Sequence, residues 1–258
     1  MKSLFVLWSL LLTLPLAAHD SWVEINTVRT EKNQPVYASL MLGNHGNDHR
    51  DFKLASKLPL EGTTLALVSP HGRTRDLKSS LIDNGLAEKE GFLSVQITPR
   101  QAGPHTVLHT FEAIMHYAPK RVIRSGKAFF VAEQPGAPAD DGPWFARAYG
   151  DPLEMVPLSD PVRLETGDTF RVRLLYKGQP LADTVVSCIP RGVVLKGEFD
   201  RAYEARTDAN GDAAFTLRKP NFYLIVAHQG APEETGEGYS DGTAYAATMT
   251  LQVRARSR

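Results

Sequence analysis

The sequence predicts an all-β protein that consists of two antiparallel β-sandwich domains in tandem, preceded by a cleaved signal peptide. Short stretches rich in Val, Phe, Tyr and Thr recur along the chain with turn residues between them, and no long amphipathic helix is indicated. Strands at this spacing favour immunoglobulin-like or transthyretin-like sandwiches over βαβ units. The predicted strands span residues 36–42, 64–68, 92–97, 105–111, 127–131, 170–176, 184–189, 213–217, 222–227 and 244–253.

Residues 1–18 have the layout of a secretory signal peptide. One basic residue, Lys2, precedes the apolar run Leu4–Leu14, and Ala17 and Ala18 provide small residues at the cleavage position. The apolar run is shorter than the roughly 20 residues that cross a bilayer, so removal is favoured over anchoring. We therefore expect a periplasmic protein whose mature chain begins at His19.

The composition limits the classes of partner. Removal of Lys2 with the signal leaves 28 basic and 29 acidic residues, and this balance argues against nucleic acid or an anionic membrane as the main partner. Cys188 is the only cysteine, so the chain can form no intramolecular disulfide, and stability must come from packed cores. Because no lipobox cysteine follows the signal, we expect a soluble protein.

The domain boundary is predicted from a stretch rich in Pro, Gly and acidic residues at 133–143. This places an N-terminal sandwich at 19–132, a linker at 133–160 and a C-terminal sandwich at 161–258. The turn around Asp208 resembles a calcium loop, but Ala213 and Lys219 stand where an EF-hand needs Gly and Glu, so a solvated hairpin turn is expected.

Histidines carry the strongest chemical signal, because seven of the eight lie in the first 116 residues. Imidazole binds Ni²⁺, Co²⁺, Cu²⁺ and Zn²⁺ without thiolates. His19 is the main candidate, since a residue at a processed N-terminus can chelate one ion through its α-amine and its ring. The alternative is that His19 is the frayed first residue of a strand. Alternation over residues 19–25 predicts a strand that would hold this terminus in place.

Three further histidines lie in the second half of the predicted first domain. His105 and His109 face the same side of the predicted strand 105–111, about 13 Å apart, so they cannot chelate one ion together. We expect His109 to approach His19 across the sheet. His116 follows that strand, where it either closes the site or is a half-exposed loop residue.

The remaining candidates lie in two predicted loops. His45 and His49 belong to a polar loop after the strand 36–42, and form either a second metal cluster or an ordinary solvated loop. His228 follows the strand 222–227 and could face the first domain. The proposed metal ligands are thus His19, His109, His116, His45 and His228. Catalysis has little support, because the sequence contains no G-x-S-x-G, P-loop or G-x-G-x-x-G motif.

Several segments together resemble the DUF4198 family: Ala18–Glu24, Gly43–Gly46, Tyr117–Lys120 and Tyr245–Val253. The resemblance implies a periplasmic component of a nickel or cobalt uptake system. In the family pattern a mature N-terminal His is followed by an aromatic residue, matched here by His19 and Trp22, and a late His is matched by His228. His105 departs from the usual Gly-x-Tyr strand entry, as either a structural replacement or an added ligand.

The expected function is non-enzymatic binding of Ni²⁺ or Co²⁺ and its delivery to a membrane transporter. One alternative is a copper-binding protein or a copper-dependent oxidative enzyme, because an N-terminal histidine with a second histidine suits Cu²⁺. Another is an interaction or carbohydrate-binding module without metal affinity. Imidazole chemistry by itself does not choose between nickel, cobalt and copper.

Overall fold

The computed structural model describes residues 19–46, 49–85, 87, 90–115, 118–136 and 142–256, and for residues 44–46, 49–53 and 55 it describes the backbone only. The predicted signal peptide and His116 therefore lie outside the described residues. The described chain forms the following strands, with one 3₁₀ turn at Lys78–Ser80: β1 His19–Ile25, β2 Arg29–Glu31, β3 Val36–Gly46, β4 His49–Ser56, β5 Thr63–Val68, β6 Thr74–Asp76, β7 Ile82–Asp83, β8 Leu93–Ile97, β9 Gly103–Ile114, β10 Arg121–Glu133, β11 Leu153–Pro157, β12 Thr169–Tyr176, β13 Gln179–Pro180, β14 Val185–Pro190, β15 Glu204–Arg206, β16 Asp212–Thr216, β17 Asn221–Ala231 and β18 Thr243–Val253.

The strands form three sheets, and the all-β sandwich class is confirmed. Sheet A has the order β1-β3-β8-β7, with β4 also paired to β3. Sheet B has the order β15-β14-β17-β18-β10-β9-β5-β6, with β2 also paired to β10. Sheet C has the order β11-β12-β13, with β16 also paired to β12. Strand β11 lies within the range predicted as the linker.

Sheet B joins strands from both predicted domains. Residues 121–127 of β10 pair in parallel with residues 243–249 of β18. The two strands are far apart in the chain, so no hairpin signal in the sequence could have indicated this pairing. One continuous sheet therefore crosses the predicted domain boundary.

Sheets A and C cover opposite faces of sheet B, and β10 shows this most clearly. Its Ala128 and Phe130 lie in the core shared with sheet A, whereas Ile123 and Phe129 lie in the core shared with sheet C. Because successive side chains of a strand point to opposite faces, a strand covered on both sides is buried at nearly every position, and its polar side chains need partners there. This explains the almost continuous burial of β10.

The loop after β17 is held by a carboxylate with three side-chain donors. Glu234 accepts hydrogen bonds from the hydroxyls of Tyr176 and Tyr245 and from the ammonium of Lys177. These hydrogen bonds, with that from Lys177 contributing most and that from Tyr245 next, lower the pKa of Glu234 from 4.5 to about 2. A carboxyl with a depressed folded pKa contributes stability above its unfolded pKa, and that contribution is lost as the pH falls towards 2.

We expect Glu234→Gln to lower the free energy of unfolding at pH 7 by about 1–2 kcal/mol, a value kept small because the site is partly solvated. Denaturant titrations at several pH values should show the difference from wild type narrowing between pH 4.5 and pH 2. Glu237→Gln, at an exposed position of the same loop, is the control. A difference that persists unchanged at pH 2 would contradict this account.

Candidate metal-binding site

Strand β1 begins at His19, and the prediction that this segment pairs into a sheet is confirmed. His19 pairs with Asn44 of β3 in an antiparallel register that continues to Ile25. The side chain of His19 is exposed, whereas Asp20 and Ser21 are fully buried. An accessible imidazole therefore lies one residue before an immobilised backbone.

The carboxylate of Asp20 contacts His228, which extends from β17. The Asp20 Oδ1 and His228 Nε2 atoms are 2.9 Å apart, and the His228 side chain is 39% exposed. His228 thus contacts β1 in the N-terminal half of the chain, an orientation that the sequence left possible. Burial acts to lower the pKa of His228, and Arg124 adds to this, but the Asp20 carboxylate outweighs both and raises that pKa.

His109 meets β1 through Ser21 rather than through His19. Its Nε2 atom lies 2.7 Å from Ser21 Oγ, and its Nδ1 atom lies 3.0 Å from the carbonyl oxygen of Thr64. A carbonyl can only accept, so Nδ1 carries the proton and Nε2 accepts from the Ser21 hydroxyl. Burial lowers the pKa of His109 to about 4, which keeps the ring neutral. Both nitrogens are thus hydrogen-bonded to protein groups.

The space under His109 requires a glycine. A Cβ atom at Gly126 would lie 2.9 Å from Thr248 Oγ1 and 3.5 Å from the His109 ring. The Thr248 hydroxyl itself donates to the Ser21 carbonyl at 2.9 Å. The absence of a side chain in β10 therefore lets β1, β9 and β18 approach one another here.

The ends of three neighbouring strands bring more histidines to the same end of sheet A. Strand β3 lies between β1 and β4, with Asn44 paired to His19, and Gly46 paired to His49. His45 directly follows Asn44 in β3. The predicted loop around His45 and His49 is thus an extension of β3 and β4, whose backbone register brings both residues towards the end of β1.

His105 has a packing role. It is 2% exposed, its ring stacks on Phe130 with centroids 4.8 Å apart, and its Nδ1 atom lies 3.0 Å from the Gly103 carbonyl. Burial lowers its pKa. Of the two alternatives for this position, the structure favours structural replacement of an aromatic residue.

Sequence reasoning missed Asp20, Ser21 and Arg124 as members of this region. Arg124 is 5% exposed, and its guanidinium lies 5.1 Å from the centre of the Phe111 ring. A charged residue within an apolar strand indicates that partners lie near it, because such a charge is rarely buried without them. Arg124 could therefore have marked this region from the sequence. Within the described ranges, no three His, Cys, Asp or Glu side chains converge in a way that could hold a metal ion.

A shallow open groove lies elsewhere, on the face of sheet B that points away from sheet A. Its two charged groups, Arg121 and Glu112, are paired at 2.6 Å, and Arg121 also lies over the Tyr239 ring. The polar groups therefore satisfy each other rather than a ligand. The lining residues are Gly62, Thr64, Thr110, Glu112, Ala113, Ile114, Arg121 and Tyr239.

Comparison with protein families gives a match over residues 16–230 to the family described as "Domain of unknown function (DUF4198)". The chain belongs to the DUF4198 family. This match covers most of the chain and confirms the resemblance seen in the sequence. No curated protein matches this DUF4198 chain.

Solved structures similar to this DUF4198 protein have low sequence identity. A DUF4785 family protein from Legionella pneumophila matches 89% of this chain with 12% identity and a TM-score of 0.30, and the present chain covers 56% of that protein. The D0-D1 domain of intimin matches 90% of this chain and 97% of its own, with 12% identity and a TM-score of 0.23. Among the described residues, no helix has the length and apolar character needed to cross a membrane.

Proposed function

We propose that this protein is a non-enzymatic periplasmic metal-binding protein that captures Ni²⁺ or Co²⁺ and delivers it to a membrane uptake system. The proposal depends on removal of residues 1–18, which leaves His19 with a free α-amine. The observation that carries it is the contrast between the exposed ring of His19 and the fully buried residues that follow. A chelating residue on a fixed strand loses little conformational freedom when a metal binds.

The donor chemistry fits a borderline transition metal. An amine and an imidazole from His19 supply two nitrogen ligands, and His45 and His116 are proposed to add further imidazoles. His109 is better suited to a supporting role, because a metal would have to replace its hydrogen bonds to Ser21 and Thr64. The same donors suit Cu²⁺, and metal ranking in solution is the measurement that separates transport from copper chemistry.

Metal affinity of the mature protein should depend on the free N-terminus. We expect a Gly-Ser-Gly-Ser extension before His19 to weaken Ni²⁺ binding at least about 100-fold, because the ring loses its partner amine. Four residues are added because a histidine at the second or third position would create a new chelate with backbone amides. Calorimetry on mass-verified protein with Ni²⁺, Co²⁺, Cu²⁺ and Zn²⁺ measures the change.

His71→Gln, which alters an exposed turn histidine, serves as the matched control and should bind as wild type does. Equal affinity of the extended and mature proteins would refute an N-terminal site. Absence of binding in both would leave the interaction-module alternative, whereas strong preference for Cu²⁺ together with peroxide-dependent oxidation of a polysaccharide would favour the copper enzyme.

A further inference from the structure

One face of β1 is matched residue by residue to the second half of the chain. Asp20 bonds to His228, Trp22 packs among apolar residues of β14 and β17, and Glu24 forms an ion pair with Arg191. These β1 residues alternate, so they point to one side of the strand. The strand that begins at His19 is therefore held from that side by the C-terminal half of the protein.

The remaining sides of β1 are also occupied. The carbonyl oxygens of Ser21 and Val23 accept hydrogen bonds from the hydroxyls of Thr248 and Thr250 at 2.9 and 2.7 Å. The opposite edge pairs with β3, and Ser21 bonds to His109. From Ser21 onwards the strand is held by contacts on several sides. At His19 and Asp20 the contacts named here are the backbone pairing with β3 and the hydrogen bond between Asp20 and His228.

We infer that His228 is a positioning residue for the N-terminal metal site: its imidazole holds the buried Asp20 carboxylate and thereby fixes the backbone adjoining His19. This inference rests on the proposed function. His228 Nε2 is committed to Asp20 at 2.9 Å, and in the described part of the chain His19, Asp20 and His228 do not converge as a set of metal ligands. The C-terminal half thus orders a site whose ligands lie in the N-terminal half.

Loss of the imidazole has a defined physical effect. The Asp20 carboxylate is 0% exposed, so without His228 it loses a hydrogen bond to the protein, and water that enters from the exposed side of the former ring is a less ordered replacement. The chain end then frays, and the α-amine and ring of His19 must be ordered at the moment of metal binding. We expect affinity to fall while the identity of the ligands stays the same.

The test compares His228→Ala with His228→Gln in the mature protein. His228→Ala should weaken Ni²⁺ binding about tenfold, the magnitude typical of groups that orient a metal ligand. Gln keeps an N–H donor that can reach Asp20, so His228→Gln should recover part of this loss. Pulsed EPR of the Cu²⁺-loaded His228→Ala protein should count the same number of imidazoles as wild type, and His71→Ala is the control.

Hydrogen exchange of the metal-free proteins tests, without any metal, whether the Asp20–His228 hydrogen bond orders the start of β1. Amides of residues 20–22 in β1 should exchange faster in His228→Ala than in wild type, while amides of β18 should be unchanged. Loss of one imidazole from the EPR signal would make His228 a ligand and overturn the inference, as would wild-type affinity in His228→Ala. If wild type binds no metal, the proposed function fails. Unchanged exchange at residues 20–22 would separately refute the claim that His228 orders the start of β1.

Discussion

Replacing Lys127 with Met is expected to lower the free energy of unfolding by about 3–5 kcal/mol, because the change leaves a buried carboxylate without its cation. Lys127 and Glu154 form an ion pair in which each side chain is only 2% exposed. Lys127 also donates to the Met155 carbonyl at 3.1 Å, and Glu154 accepts from the amide of Gly150 at 2.9 Å. Burial lowers the pKa of Lys127, and the neighbouring Glu154 carboxylate only partly opposes this effect.

Thermal unfolding followed by circular dichroism measures this effect, with a drop of about 2–4 °C expected for each kcal/mol in a chain of this length. Arg206→Met is the matched control, because Arg206 pairs with Asp183 at 3.1 Å while both side chains remain largely exposed. It should change stability by less than about 1 kcal/mol. Equal effects of the two variants would contradict the large cost expected when Glu154 is left buried without its cation.

The double variant Lys127→Met with Glu154→Met separates lost pairing from lost packing. Replacing a whole buried pair with apolar groups is often nearly neutral, so this protein should regain part of the stability lost in Lys127→Met. The backbone amides of Tyr149 and Gly150, which both donate to Glu154, prevent full recovery. A double variant that is less stable than Lys127→Met would show that packing dominates.

Replacing Trp22 with Ala should cost about 3–5 kcal/mol, since it removes the largest side chain between β1 and the second half of the chain. Trp22 is 2% exposed and packs with Ile189, Leu195, Leu224 and Val226. Most of the neighbouring side chains belong to paired strands and can move only partly into the space that Trp22 leaves, so a cavity remains. Guanidinium titration measures the loss.

Trp144→Ala is the control for Trp22→Ala. Trp144 is partly buried and contacts Phe129 and Phe145 edge-on, so its removal should cost clearly less. Mature Trp22→Ala should also show faster hydrogen exchange throughout β1, because the strand loses its main contact with sheet B. Similar losses in both variants would argue against a major role of β1 in joining the two halves, beside the pairing of β10 with β18.

Much of the secondary structure follows from local patterns. Each of the eleven predicted strands overlaps an observed strand, because alternation and β-branched residues mark them directly. Strands β2, β6, β7, β13 and β15 have only two or three residues, too few to show a period. Strand β11 was not predicted because its sequence follows a Pro- and Gly-rich stretch and was assigned to the linker. Its Glu154 also pairs with Lys127, a residue of another strand, and no local pattern indicates this contact.

The candidate site was predicted in part. The pairing of residues 19–25 into a sheet was predicted from the sequence, and the contact of His228 with β1 was one of the possibilities that it left open. The partner of His109 was expected to be His19 and is Ser21. Which residue of β1 meets His109 depends on how sheets A and B are offset, and no local pattern encodes an offset. His45 was predicted in a loop, but its backbone lies within β3, which extends to Gly46; its role as a ligand is still a prediction.

The sequence by itself determined the all-β class, the buried strands, the family and the histidine expected at the mature N-terminus, because each depends on residues close together in the chain. Tertiary structure alone decided the parallel pairing of β10 with β18 and the contact between Asp20 and His228, which are 208 residues apart. Such contacts depend on which distant faces bury the most apolar surface at once while every buried polar group keeps a partner.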